Sequence, residues 1–152
     1  MIEENDLTTK HLAELRDALG KKNIKTEVES PFDFIRIATN GLDANIIKNF
    51  KAYFNLSLDT TAHMLNVSEP SIYRWIKSNK KLDRNLSIKI FEISELFLLG
   101  TELFRSKENF FKWLNLPNTA LGGIQPIELI EMPEGISKVR DILGRIEHGI
   151  YS

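Results

Sequence analysis

Apolar residues fall three and four positions apart along most of the chain, the 3.6-residue repeat of helices with one buried face. Leu12, Leu15 and Leu19 form the first such row; Thr8 or Thr9 caps it and Gly20 stops it. Ser30-Pro31 is a cap followed by proline at the first helical position. It opens a helix through Phe34, Ile35 and Ala38 that ends near Gly41. The polar stretch 21–29 between these helices reads as a loop. A third helix runs from about Asp43 through Ile46, Ile47, Phe50 and Phe54. Two short helices follow at 58–65 and 69–78, then a long one at about 83–104. Ser106 caps a helix carrying Phe110, Phe111 and Leu114. Residues 117–126, rich in Pro, Asn and Gly, read as a loop, and 125–130 as a helical turn. The last helix, about 134–148, places Ile136, Val139, Leu143 and Ile146 on one face, with Gly149 as its stop. No period-two alternation persists, so the fold class is all-α. The polar turn at 78–83 is the natural boundary.

Composition narrows the class. The chain has 152 residues, 42% hydrophobic and 27% charged, enough to build a core and too apolar for a disordered chain. Cysteine is absent, which excludes disulfides, thiolate metal sites and a cysteine nucleophile. The acidic start, Glu3-Glu4-Asn5-Asp6, carries no apolar signal segment. The greasiest stretch, 91–104, is broken by Glu92, Glu95 and Glu102. It is too short and too charged to cross a bilayer. No membrane association is expected, and a reducing cytoplasmic location fits these features.

The net charge of −1 hides a segregation. Residues 71–90 hold six cations (Arg74, Lys77, Lys80, Lys81, Arg84 and Lys89) against the single acid Asp83, a local charge of +5. Residues 1–34 carry eight acids against five bases. A local +5 in a near-neutral chain suits one phosphate-binding surface.

That charge begins on a helix-turn-helix pattern, 58–77. Ser57 caps its first helix, and Ala62 sits where the two helices must approach closely. Leu65, Val67, Ile72 and Trp75 are expected to fill the shared core. Asn66 occupies the turn position where glycine is usual; asparagine tolerates the left-handed conformation best among the others. Ser68 caps the second helix, with Pro70 in its first turn. Ser71, Arg74, Lys77 and Ser78 point away from the core row, with Tyr73 on the border. Arg74 can reach a guanine bidentately, while Lys77, Lys80 and Lys81 lie nearer the phosphates. Glu69 either accepts from a cytosine or favours the helix N-terminus. The DNA-facing set is therefore Ser68, Ser71, Tyr73, Arg74, Lys77, Lys80 and Lys81.

No catalytic constellation appears, so no enzymatic activity is expected. His11, His63 and His148 have no metal-ligand spacing, and Gly122-Gly123 is not followed by the Lys-Ser/Thr of a phosphate loop. Glu128, Glu131 and Glu134 could share a helix face, but they lack a partner for chemistry and read as solvated. Neither metal nor cofactor is called for.

Trp113-Leu114, Pro117-Asn118, Ala120-Leu121-Gly122-Gly123, Pro126, Glu128-Leu129, Gly135 and Arg145-Ile146-Glu147-His148-Gly149-Ile150-Tyr151-Ser152 resemble the toxin-binding domain of the Xre/MbcA/ParS antitoxins. The order of the motifs matches, and the chain stops where that pattern ends. The resemblance extends over roughly 43–152, with the helix-turn-helix in the Xre-like position, and leaves the segment before residue 43 unmatched. It implies an Xre-like helix-turn-helix at 43–81 and a toxin-binding domain at 82–152, and the helix pattern adds an N-terminal helical segment at 1–42. It implies a bacterial type II antitoxin that inhibits a cognate RES-domain toxin, an NAD-depleting enzyme. It also implies repression of the antitoxin's own operon through operator DNA, a homodimer, and a higher hetero-oligomer with the toxin.

The toxin-facing set is expected to be Arg145, Glu147, His148, Gly149, Ile150, Tyr151 and Ser152. The Tyr151 ring and Ile150 would anchor the tip in a partner cleft, with Glu147, the tyrosine hydroxyl and the Ser152 carboxylate as acceptors. The competing reading is a stand-alone helix-turn-helix transcription regulator whose C-terminal half only dimerises. A small all-α enzyme is the third.

Overall fold

The computed structural model describes residues 2–24 and 29–149. Among them all regular structure is helical, apart from two isolated β-bridges. The chain divides into two compact units, Met1–Glu95 and Leu96–Ser152. The division falls inside a helix and not at the polar turn 78–83.

The first unit begins with α1, Ile2–Leu19. This helix starts well before the expected cap at Thr8 or Thr9, because neither Gly nor Pro interrupts 2–19 and Glu, Leu and Lys are good helix formers. Gly20 ends it with a φ of +91°. The Leu19 carbonyl left open there accepts from the side-chain amides of Asn23 (2.9 Å) and Asn49 (3.2 Å). α2 covers Pro31–Thr39 and α3 Asn45–Tyr53. Ser30 caps α2, and the Asp33 carboxylate accepts from the amides of Glu29 (3.0 Å) and Ser30 (3.1 Å). That pairing holds the Asp33 carboxyl below its ordinary value, the Glu29 amide contributing most. α1 packs on α3, burying Leu12, Leu15 and Leu19 on one helix and Ile46, Ile47 and Phe50 on the other. Each such side chain contributes about 1.5–3 kcal/mol when fully buried.

α4, Leu58–Leu65, and α5, Glu69–Lys77, form the next pair. Ser57 accepts from the Thr60 amide at 3.0 Å and Ser68 from the Ser71 amide at 3.2 Å. Asn66 turns the chain with φ 54° and ψ 47°, the left-handed conformation. Ala62, Leu65 and Ile72 are buried. Val67 and Trp75, expected in the same core, are only half-buried. Trp75 lies in the last turn of α5, toward its C-terminal end.

The polar turn after α5 is not a linker. The Ala44 amide donates to the Lys80 carbonyl (2.8 Å), the Leu82 amide to the Leu42 carbonyl (2.7 Å), and Asp43 and Lys81 form an antiparallel bridge. Asp83 then caps α6, Arg84–Phe104, accepting from the Leu86 amide at 2.8 Å. The first part of α6 carries Phe91, which meets Phe34 of α2 edge to face at 4.3 Å.

The second unit holds the rest of α6, α7 (Lys107–Leu114), α8 (Pro126–Leu129) and α9 (Pro133–Glu147). Gly100 lets α7 approach α6: a Cβ there would lie 2.2 Å from the Phe110 ring. Phe110 stacks near Trp113 (6.1 Å) and meets Phe97 edge to face (5.5 Å). The expected loop 117–126 is more ordered than its composition suggests. It contains a 3-10 turn, Thr119–Leu121, closed by an Asn118–Ile124 bridge. The Asn118 side chain accepts from the Ala120 amide at 2.9 Å. Gly122 and Gly123, both at positive φ, make the return. α8 packs on α9.

Candidate functional site

In the first unit, the residues expected to face DNA sit together on α5 and the turn after it. Tyr73, Arg74, Lys77, Ser78, Lys80 and Lys81 are exposed and Ser71 is half-buried. Tyr73, placed on the border by its sequence position, is 66% exposed and stands fully on the outward face. Ser68, Ser71 and Arg74 follow one another at three-residue spacing and are linked. The two serine hydroxyls are 2.7 Å apart, and the Arg74 guanidinium donates to Ser71 at 3.3 Å. The guanidinium is therefore aimed along the N-terminal part of the helix face and is not splayed at random. Glu69 lies exposed in the first turn of α5, where a carboxylate favours the positive helix end.

At the other end of α5 an open groove of about 630 Å³ is lined by Arg74, Trp75, Lys77, Ser78 and Lys80. The Lys80 ammonium stands 5.3 Å from the centre of the Trp75 ring. The half-buried indole, expected in the core, is thus part of this surface.

In the second unit, α9 buries Gly135, Ile136, Val139 and Leu143. At its C-terminal end Arg145, Glu147 and His148 are exposed, with Gly149 turning the chain at φ 72°. Ile150, Tyr151 and Ser152, the expected anchor, lie outside the described residues. Sequence spacing does not single out three exposed apolar side chains: Leu116 (59%), Met132 (51%) and Ile124 (41%). All three lie in the connections around the 3-10 turn and α8. Their only trace in the sequence is that they fall out of phase with the buried rows on either side.

Glu128, Glu131 and Glu134 do not share a helix face. Glu128 is on α8, Glu131 in the turn after it and Glu134 in the first turn of α9; all three are exposed. His63 is exposed, with its imidazole 3.6 Å from Asp59. Among the described residues no group of three or more His, Cys, Asp or Glu is placed to hold a metal ion. No helix there is long and apolar enough to cross a membrane.

Comparison with known proteins finds a likeness within the second unit. Residues 99–149 match the family model of the antitoxin Xre/MbcA/ParS C-terminal toxin-binding domain. The chain is 26% identical over 134 residues to a Prs ADP-ribosylating antitoxin of Sphingobium sp. (strain YBL2), covering 81% of this chain and 83% of that protein. It is 23% identical over 117 residues to an antitoxin Xre of Photorhabdus laumondii, covering 76% and 79%. Both relatives extend well before residue 99, so the likeness includes part of the first unit. The match at 99–149 begins three residues after the second compact unit does. Residues 99–149 are accordingly similar to the C-terminal toxin-binding domain of the Xre/MbcA/ParS antitoxins.

Proposed function

We propose that this protein is the antitoxin of a type II pair, acting in the cytoplasm without catalysis of its own. Its second unit binds and blocks a RES-domain, NAD-depleting toxin. Its α4–α5 pair acts as a helix-turn-helix that represses the operon encoding both partners. The observation that carries the reading is the coincidence of a toxin-binding domain match, 99–149, with one compact unit. The name of the Sphingobium relative couples antitoxin to ADP-ribosylation. That supports a partner working on a nicotinamide dinucleotide. Such a partner has a cleft with cationic and hydrogen-bonding groups, and the exposed Glu147 followed by Ile150, Tyr151 and Ser152 offers it acceptors and an apolar anchor.

The linked Ser68–Ser71–Arg74 row supports DNA binding through α5, with Tyr73, Lys77, Lys80 and Lys81 on the flanking backbone. A homodimer would present two such helices to half-sites about 34–36 Å apart. The decisive experiment co-expresses the chain with the product of the adjacent gene. Restored growth and co-purification are expected. A protein that neither rescues growth nor co-purifies, yet represses its promoter, would establish the stand-alone regulator instead.

A further inference from the structure

The turn that ends α5 is held more firmly than a helix exit requires. Asn79 adopts a left-handed backbone, φ 52°, and its side-chain carbonyl accepts from the Asn45 side-chain amide at 3.3 Å. The reversal lets the Lys80 amide donate to the Trp75 carbonyl at 2.9 Å, closing the helix. The Lys80 carbonyl accepts from Ala44 at 2.8 Å. Lys80 is therefore fixed on both sides of its Cα, and its ammonium lies within cation–π range of Trp75. A helix C-terminus ordinarily repels anions through its open carbonyls. Here the Ser78 hydroxyl donates to the Arg74 carbonyl at 2.9 Å and the Lys80 amide covers that of Trp75. The groove lining, Arg74, Trp75, Lys77, Ser78 and Lys80, includes three cations and no carboxylate.

We infer that this groove is a phosphodiester site for the DNA backbone, and that Trp75 is a positioning residue that holds Lys80 ready for the phosphate. The inference rests on the DNA-binding reading of α5 and deepens it. A free lysine loses its rotamer freedom when it meets a phosphate; one already held over an indole loses less. The site lies beyond Arg74, toward the C-terminal end of α5. It would therefore grip the strand flanking the bases that α5 reads and would carry no sequence preference of its own.

The test uses the full chain and a labelled duplex of the promoter upstream of its gene, titrated by fluorescence anisotropy at stepped salt concentrations. Lys80→Gln should weaken binding severalfold and lower the slope of log affinity against log salt by about 0.9, the loss of one phosphate contact. Trp75→Leu should weaken binding similarly although it removes no charge, while Trp75→Phe, which keeps a ring, should stay near wild type. The double variant Trp75→Leu/Lys80→Gln should be no weaker than Lys80→Gln alone. Asn79 is exposed, so it gives the same contrast without touching the core. Asn79→Gly keeps the left-handed turn and should bind normally; Asn79→Ala strains it and should resemble Lys80→Gln. Wild-type protein that fails to bind the duplex at low salt overturns both the DNA reading and this site. Binding by wild type with Lys80→Gln silent, or with the Trp75 and Lys80 losses adding, overturns the site alone.

Discussion

The α-carbon of Gly135 is pressed against the carbonyl of Leu129: a Cβ built on Gly135 would come within 1.8 Å of that oxygen. The contact fixes where α9 starts relative to α8, and backbone cannot swing aside as a side chain tip can. Gly135→Ala is expected to destabilise the second unit by about 3 kcal/mol, the upper end for overpacking. Gly144, also within α9, would have nothing within 4 Å of an added Cβ. Gly144→Ala should leave the fold intact and raise its stability by up to about 1 kcal/mol through helix propensity. Paired thermal melts of the two variants check both; equal melting temperatures would contradict the packing described.

DNA recognition should divide along α5. Arg74→Ala is expected to cost about 1–3 kcal/mol on the operator and to relax preference at one base position. Lys77→Ala should weaken all duplexes alike and flatten the salt dependence. Gel shifts on operator and scrambled duplexes, with circular dichroism to confirm the fold, measure this. Unchanged operator binding by both variants would remove α5 from the interface.

Toxin neutralisation should depend on the tip after α9. A chain lacking residues 149–152 is expected to keep promoter binding but to protect poorly against the co-expressed toxin. An aromatic anchor such as Tyr151 carries about 2 kcal/mol or more where it is a hot spot. Growth curves and a binding titration give the result. Full protection with unchanged affinity would move the contact to the exposed Leu116, Ile124 and Met132, and Leu116→Glu would then be the variant that fails.

The start of α2 should respond to acid. Amide donation from Glu29 and Ser30 holds the Asp33 carboxyl below its usual value of 3.8. A depressed folded value means that the cap is fully present above the unfolded value and is lost as pH falls through the folded one. Amide exchange in α2 should therefore rise below about pH 3.8 in the wild type, and Asp33→Asn should show faster exchange already at neutral pH with little further change. An Asp33→Asn profile that follows the wild type would show that the carboxylate does not hold the cap.

The chain's local features were readable in order because their causes are local. Ser57, Ser68 and Ser106 cap helices through their own next turn. Asn66 and Gly149 turn left-handed where such residues are needed, and Leu12, Leu15 and Leu19 on α1 and Ile136, Val139 and Leu143 on α9 face inward as their spacing requires, whereas Ile35 on α2 is exposed. The polar, cationic face of α5 followed from the same periodicity. The motif order from Trp113 to Gly149 likewise pointed to the antitoxin domain whose family model matches 99–149. Where Trp75 lies was different, because its burial depends on how far α4 extends beside α5 and on the path of the chain after Asn79. Lys80 returns to the indole only because Ala44 and Leu42, more than thirty residues earlier, fix the turn through backbone hydrogen bonds. The division inside α6 and the exposure of Leu116, Ile124 and Met132 are of the same kind. Each depends on which distant surface is present or missing opposite a residue, and helical spacing along one segment carries no record of that.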